Sequence, residues 1–340
     1  MVIDYIKYKI RNGDSLHSIA SRLGMTAEDL KLFHNAHCEK IETLWFDNIP
    51  PIEFILVPLN YKTEEQKEQE KRESLPSLEL LNALHAKEYK VCETFESSDE
   101  TPLTVEYTIS LETRKHQNKS IITFNRKDFV TNGEIPDNKV STLILACMES
   151  VLPVDFLLHD NGLMAGFLNH KEIKTRFLQK RHDLEEYFLG ETNTSYLNLF
   201  QENCSDENLF LKQFCSSLLF QTLFPNIEWF QKKAPWIESF YFFQNSFRVQ
   251  CSMEAEHRDE EKDVIQTIVT GKTIDSGSFQ EIKRGIICHE TIEKNTSGEI
   301  QIQYTTHKQN KCLIRAESSL IFRNEEAVDY KHHLTLTQMI

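Results

Sequence analysis

Residues 8–24 read YKIRNGDSLHSIASRLG. Tyr8-Lys9-Ile10 alternates apolar and polar side chains, as a half-buried strand does. Asn12-Gly13-Asp14 predicts a turn, because glycine adopts backbone angles that other residues avoid. Asp14 or Ser15 is suited to cap the helix that follows, which ends at Gly24. One face of this predicted helix is apolar and carries Leu16, Ile19, Ala20 and Leu23.

The pattern continues into a second helix and a closing strand. Thr26 is suited to cap this helix, because acidic residues occupy the next turn, where the helix dipole favours them. Asn35 lies near the predicted helix end. Residues 54–58 read FILVP, a strand that proline stops. Residues 5–58 are therefore predicted to form strand–helix–helix–strand, with the two strands paired antiparallel.

The spacing and residue types of this segment match a known small module. The matching positions are Tyr8, Ile10, residues 12–16, Ile19, Ala20, residues 23–26, Asp29, Leu30, Asn35 and residues 55–58. Together they resemble a LysM domain. The resemblance implies a shallow groove for glycans that contain N-acetylglucosamine, such as peptidoglycan or chitin. One side of the implied groove is the segment after Asn35. The other side is the turn formed by Asn12, Gly13, Asp14, Ser15 and Leu16.

The loop between the second helix and the closing strand is longer than a LysM module needs. Residues 36–53 read AHCEKIETLWFDNIPPIE and contain no glycine. Trp45 and Phe46 are candidates to stack on a sugar ring, to plug the groove or to contact a protein. Packing of Trp45 against the second helix is the interpretation that we favour, since aromatic residues often anchor cores. His34, His37 and Cys38 lack a neighbouring cluster of donors, so we expect no metal site.

Four segments follow from the composition along the chain. They are a LysM-like module at 1–60, a charged linker at 61–77, a larger domain at 78–325 and a tail at 326–340. In the larger domain, alternating strands precede and follow a helical section. Consecutive strands with short turns indicate antiparallel pairing. We therefore predict an α+β fold with a curved antiparallel sheet around helices.

Part of the larger domain resembles uncharacterised domains attached to LysM modules in Bacteroidetes-type proteins. The resemblance runs over residues 153–156 (PVDF), Leu158, Gly162, residues 167–169 (FLN) and residues 172–173 (EI). It implies no known chemistry. The phenylalanines of the helical section are open to two interpretations, an apolar ligand site or plain core, and we favour core for Phe210, Phe214, Phe220 and Phe224.

The chain shows no pattern typical of an enzyme. Its ten glycines form no phosphate-binding loop, and neither H-E-x-x-H nor G-x-S-x-G occurs. Cys288 and His289 are adjacent on a strand pattern, so their side chains point to opposite faces. A formal net charge of −14 argues against nucleic acid and anionic membranes as partners. We expect no catalytic residues and no cofactor.

The eight cysteines are scattered and the N-terminal residues lack a leader pattern, so we expect a cytoplasmic protein with reduced thiols. Export by a dedicated machine is left open. The expected function is that of a non-enzymatic binding or adaptor protein. Its partner is an N-acetylglucosamine glycan or a protein of a secretion machine, because LysM-like modules also serve as adaptors in contractile injection machines of the type VI kind. The alternative is a cell-wall-active enzyme with an unrecognised catalytic domain.

Overall fold

The chain folds into two units, Met1–Glu73 and Ser74–Ile340. The computed structural model describes residues 5–46, 48–59, 64–78, 83–98, 100–116, 119–259, 261–274, 279–286, 296–324 and 327–339. Each unit has a hydrophobic core of its own.

The N-terminal unit contains two paired strands, with two helices between them in sequence. Its elements are β1 (Tyr5–Lys9), α1 (Leu16–Leu23), α2 (Ala27–His37), a short 3-10 helix (Lys40–Glu42) and β2 (Phe54–Pro58). The strands are antiparallel, with Tyr5 opposite Pro58 and Lys9 opposite Phe54. This order of elements is the one that the sequence pattern predicts for residues 5–58.

Local signals begin and end α1. Ser15 and Ser18 form a reciprocal cap, in which each side chain accepts a hydrogen bond from the backbone N–H of the other residue. Gly24 ends the helix in the left-handed conformation, with φ 69°. The apolar faces of the helices meet β2 in a small core made of Leu16, Ile19, Ala20, Met25, Leu30, Leu44, Ile55 and Val57.

The charged segment after β2 contains α3 (Glu64–Ser74), which covers the boundary between the units in sequence. Its pair Glu68 and Arg72 lies one turn apart, at 3.2 Å. Such pairs support a helix whose composition offers almost no apolar face.

In the described part of the C-terminal unit, helices occur in three of the connections between strands. The strands are β3 (Glu88–Ser97), β4 (Glu100–His116), β5 (Lys119–Thr131), β6 (Val154–Leu158), β7 (Met164–Phe167), β8 (Trp236–Tyr241), β9 (Arg248–Arg258), β10 (Val264–Thr273), β11 (Thr296–His307), β12 (Leu313–Asn324) and β13 (Ala327–Gln338). The helices are α4 (Lys139–Val151), α5 (His170–Tyr187), α6 (Glu191–Ser205), α7 (Glu207–Cys215), α8 (Leu218–Leu223) and α9 (Phe279–Arg284).

In the part of the chain that the structure describes, all eleven of these strands join one sheet. Their order is β7-β6-β5-β4-β3-β13-β12-β11-β10-β9-β8, and the neighbours are antiparallel. The pairing of β3 with β13 joins strands β3–β7 to strands β8–β13. At this junction Lys331 forms an ion pair with Glu96, 235 residues away in sequence.

The predicted fold class, α+β with a curved antiparallel sheet around helices, is wrong. The framework is one large antiparallel sheet, and helices α4–α8 belong to the connections between β5 and β6 and between β7 and β8. In the sequence, a helical section separates two groups of strands. This order predicts a sheet that surrounds the helices. Local periodicity cannot show that β3 and β13 pair and so make the two groups one sheet.

Three segments differ in detail from their sequence patterns. Residues 327–338, assigned to the tail, form β13 and pair with both β12 and β3. The apolar run at 209–224, whose pattern predicts one helix, is divided between α7 and α8, with Ser217 capping the second. The alternating pattern at 282–292, which contains Cys288 and His289, predicts a strand, but residues 282–284 belong to helix α9. Residues 287–295, with Cys288 and His289, lie outside the described residues.

The helices pack on the sheet through aromatic side chains. Phe156 of β6 lies at the centre of this cluster, with its ring centroid 5.2 Å from that of Phe214 and 5.4 Å from that of Phe220. Phe210 and Phe224 are buried in the same core. The four phenylalanines are therefore core residues, as the favoured interpretation expects, and three of them, Phe210, Phe214 and Phe220, also line a cavity.

The seven cysteines within the described residues are free thiols. Among the described helices, none has both the length and the apolar character required to cross a bilayer.

Candidate functional site

The predicted glycan-binding turn is held by an ion pair within the N-terminal unit. The Asp14 carboxylate accepts hydrogen bonds from Arg22 Nη2 at 2.5 Å and from the Arg11 backbone N–H at 2.9 Å. These bonds, with that of Arg22 first, lower the pKa of the Asp14 carboxyl. Arg22 also donates to the Tyr8 hydroxyl at 2.6 Å. Asp14 therefore ties the turn to α1, and Arg22 ties α1 to β1.

The other residues of the turn divide into structural and exposed positions. Leu16 is buried in the core of the unit, and Ser15 caps α1. Asn12 and Gly13 are exposed, and Gly13 has φ +88°. A Cβ atom at Gly13 would meet no other atom within 4 Å, so the space above the turn is open.

Asn35 fixes the loop that follows α2. Its side-chain amide donates to the Leu44 carbonyl at 2.9 Å and its amide oxygen accepts from the Leu44 N–H at 2.8 Å. Leu44 itself is buried beside Leu16 in the core of the unit. The two predicted sides of the groove are therefore anchored in the same core, with Asn35 serving as a brace for the loop.

His34 is a second brace, from the H-x-x-H-C stretch. Its Nδ1 accepts from the Leu56 N–H at 3.0 Å, so Nε2 carries the proton and donates to the Glu42 carbonyl at 3.0 Å. His37 Nδ1 bonds to the Phe33 carbonyl, one turn earlier in α2. Within the described residues, no group of three or more His, Cys, Asp or Glu side chains is placed to hold a metal ion.

The braced loop displays three large apolar side chains, which we call the apolar loop surface: Ile41, Trp45 and Phe46. Their exposed fractions are 88%, 75% and 77%. The favoured interpretation that Trp45 packs against α2 is wrong, because only its backbone carbonyl is held there, by Lys31 Nζ at 3.1 Å. The buried anchor is the preceding Leu44, one position away from the residue that the sequence suggested.

A second arrangement of polar groups lies inside the C-terminal unit, where the sequence suggested none. Glu93 of β3 is buried and accepts hydrogen bonds at both carboxylate oxygens. The Tyr107 hydroxyl of β4 donates to Oε1 at 2.5 Å, and His332 Nε2 of β13 lies 2.8 Å from Oε2. Burial and the Glu93 charge raise the pKa of Tyr107 well above its usual value, which keeps this donor protonated.

Arg126 of β5 lies beside this cluster without a polar partner. Its guanidinium is 5.4 Å from the Tyr107 ring centroid and 5.1 Å from that of Phe129. Within the described residues it makes no hydrogen bond or ion pair. Burial lowers the pKa of the guanidinium, which reflects the cost of removing this charge from water.

A cavity of about 240 Å³ opens onto these groups. Its ionisable lining comes from four strands and comprises Glu93, Tyr107, Arg126, Tyr330 and His332. Its apolar lining includes Phe95, Phe124, Met148, Leu152, Phe210, Phe214, Leu218, Leu219, Phe220, Phe242 and Leu320. A largely apolar cavity with a few convergent polar groups is the usual form of a small-molecule site.

A sequence signal for this site does exist. Inward-facing positions of β3 are Tyr89, Val91 and Glu93, so that an acid occupies the apolar phase of the strand. In the same way, Arg126 follows Ile122 and Phe124 on β5. An ionisable residue in phase with the buried face of a strand is uncommon and marks a candidate site.

Comparison with known proteins adds little to this geometry. No protein-family profile and no curated protein matches the chain. Among solved structures, a similar chain is a protein of unknown function from the DUF3598 family of Nostoc punctiforme PCC 73102. It shares 9% sequence identity, with a TM-score of 0.13, over 79% of this chain and 99% of that chain. A TM-score this low carries no argument about fold or function.

Proposed function

We propose that this chain is a non-enzymatic adaptor whose N-terminal unit binds a protein partner through the apolar loop surface. The observation that carries the proposal is the exposure of Ile41, Trp45 and Phe46 within six residues of one braced loop. Clustered exposed apolar side chains often mark interaction sites, and tryptophan is frequent among interface residues that dominate affinity.

The bracing of the loop supports this role. Asn35 holds Leu44 by two hydrogen bonds and Lys31 holds the carbonyl of Trp45, so the backbone beneath the aromatic side chains is fixed before binding. A surface that is already ordered loses less conformational entropy on association. The resemblance to LysM modules, some of which are adaptors in contractile injection machines, suggests a partner from such a machine.

A glycan partner is supported less well by the contacts in the predicted groove. The Asp14 carboxylate is occupied by Arg22 and Arg11, and the Asn35 amide is occupied by Leu44. Ile41 adds an aliphatic side chain that a polar sugar chain does not require. Trp45 and Phe46 remain suited to stack on sugar rings, so glycan binding is a separate outcome of the test.

The test uses the full chain and defined probes. Each protein encoded beside this chain is purified and titrated against the wild type, Trp45→Ala/Phe46→Ala and Ile6→Ala, the last being an exposed apolar change on β1. We expect one such protein to bind the wild type and Ile6→Ala equally, and the double variant at least about 30-fold more weakly.

The same preparations are incubated with insoluble peptidoglycan and with chitohexaose. Binding to either glycan that depends on Trp45 and Phe46, without any protein partner, would replace the adaptor proposal by glycan recognition. Release of soluble wall fragments would contradict a non-enzymatic function. Equal partner affinity of the double variant and the wild type would exclude the apolar loop surface as the contact.

A further inference from the structure

The cavity of the C-terminal unit points to a ligand because, among the described residues, its cation has no hydrogen-bond or ion-pair partner. Arg126 lines the cavity, and its polar neighbours leave its N–H donors free. The charges of Glu93 and Glu149 act on Arg126 through space, but neither carboxylate is hydrogen-bonded to it, and the two Glu93 oxygens already accept from Tyr107 and His332. Arg126 is half-buried, and charges withdrawn from water in proteins are normally paired. The faces of two aromatic rings do not supply the acceptors that a guanidinium requires.

We infer that this cavity binds a small organic monocarboxylate, with the carboxylate on Arg126 and the apolar body among the phenylalanines. A planar guanidinium presents paired N–H donors that match both oxygens of a carboxylate. A single negative charge is favoured over a phosphate dianion, because Arg126 is the one Lys or Arg side chain in the lining that the structure describes.

The size of the cavity limits the apolar body. An engineered apolar cavity of roughly 150 Å³ holds benzene, and sites for drug-sized ligands occupy roughly 300–1,000 Å³. The volume of about 240 Å³ lies between these values. It therefore suits one ring with a short chain, or a linear chain of similar bulk.

The arrangement also assigns a role to the Glu93 cluster. Tyr107 contacts both sides of the site, because its hydroxyl donates to Glu93 while its ring faces Arg126. His332 is fixed by Glu93 and stacks on Phe95, with ring centroids 4.1 Å apart. Glu93 and its two partners are positioning residues that hold the cavity wall against which Arg126 lies.

The test measures binding of defined acids and their neutral counterparts by titration calorimetry on the full chain. The probes are 3-phenylpropionate with 3-phenylpropan-1-ol, and linear carboxylates of six to ten carbons with the corresponding alcohols. We expect at least one acid to bind with a Kd below 1 mM, about tenfold or more tighter than its alcohol.

Variants then assign the preference to Arg126. Arg126→Met removes the charge and should bind the acid no more tightly than the alcohol, because an unpaired carboxylate is costly in an apolar cavity that Glu93 also lines. Arg126→Lys should keep part of the preference. The matched control is Lys127→Met, the next residue of β5, whose Nζ pairs with Glu88 at 2.9 Å and does not line the cavity. Lys127→Met should behave as the wild type.

Two results would overturn the inference. One is a wild-type protein that binds no acid of the series, or binds the acid no more tightly than the alcohol, as a purely apolar cavity would. The other is a folded Arg126→Met protein that keeps the preference for the acid. If Arg126→Met does not fold, the comparison of acid with alcohol on the wild type decides alone.

Discussion

His332 Nε2 lies 2.8 Å from Oε2 of Glu93, although 239 residues separate the two in sequence. The antiparallel pairing of β13 with β3 places Leu334 opposite Glu93 and His332 opposite Phe95, so the two side chains are diagonal neighbours on one face. The contact joins the first and last strands of the C-terminal unit through a buried polar pair. Its contribution to the free energy of unfolding can be measured.

Glu93→Leu should destabilise the protein, because Tyr107 and His332 would each lose a buried hydrogen-bond partner. We expect a loss of about 1–3 kcal/mol in the free energy of unfolding for each group left unpaired. Urea denaturation measures it. Glu106→Leu on β4, whose ion pair with Lys90 is solvent-exposed, is the control and should change stability by about 0.5 kcal/mol or less. Equal losses in the free energy of unfolding at the two positions would show that the buried hydrogen bonds of Glu93 contribute no more than an exposed ion pair.

His85 should make stability depend on pH. Its Nε2 donates to the Leu223 carbonyl at 2.7 Å and its Nδ1 is buried without a partner. Burial lowers the pKa of His85 to about 4, below the ordinary value of 6.5. The unfolded chain therefore binds the proton more readily, so this contribution is complete above pH 6.5 and is lost as the pH falls through 4.

The pH effect can be isolated with a residue that does not titrate. The free energy of unfolding of the wild type should fall by up to about 3 kcal/mol more than that of His85→Asn between pH 7 and pH 4. Urea denaturation at several pH values gives both curves. Parallel curves would mean that His85 is accessible to protons in the folded protein.

Cys147 and Cys204 should resist alkylation in the folded protein. Burial raises the pKa of both thiols to about 12, so almost no thiolate is present at pH 8. Iodoacetamide labelling followed by peptide mass spectrometry should find both unmodified in buffer and modified in 6 M guanidinium chloride. Labelling at similar rates under the two conditions would contradict this packing of α4 and α6.

Asn35→Ala should loosen the braced loop. It removes both bonds to Leu44 and leaves a buried N–H and carbonyl without partners, at about 1–3 kcal/mol each. The exposed Asn12→Ala is the matched control. Denaturation of the two variants measures the difference, and an unchanged Asn35→Ala protein would show that the loop is held by other contacts.

The sequence predicts the N-terminal unit because its signals are local. Ser15, Gly24 and the apolar spacing of α1 lie within ten residues of one another, and β2 closes the module within 58 residues. The sheet of the C-terminal unit depends on pairings such as Lys331 with Glu96, which no local pattern records. Residues 327–338 form a strand that is hydrogen-bonded to β3 on one side and to β12 on the other, and β3 lies far from it in sequence.

The candidate sites also divide into features with local sequence signals and features that depend on long-range contacts. The sequence indicates the loop that carries Trp45 and Phe46, but the choice of Leu44 as the buried anchor depends on the Asn35 side chain. Glu93, Arg126 and His332 are each out of place in an apolar strand phase, which is visible in the sequence. Their convergence is not visible, because it requires the order of four strands.

Trp45→Ala should have little effect on folding, because the side chain is 75% exposed. A surface position of this kind typically changes the free energy of unfolding by about 0.5 kcal/mol or less. Thermal and urea denaturation against the wild type measure the change. A loss of about 3–5 kcal/mol, as for a buried tryptophan, would place Trp45 in the core.

The most direct test of the adaptor function is the affinity of Trp45→Ala for the partner found among the neighbouring gene products, measured against Ile6→Ala in one titration series. If the apolar loop surface is the contact, Trp45→Ala should lose about 2 kcal/mol or more of binding free energy, which is about 30-fold in Kd, while Ile6→Ala binds as the wild type does. Equal affinity of all three proteins would contradict the account.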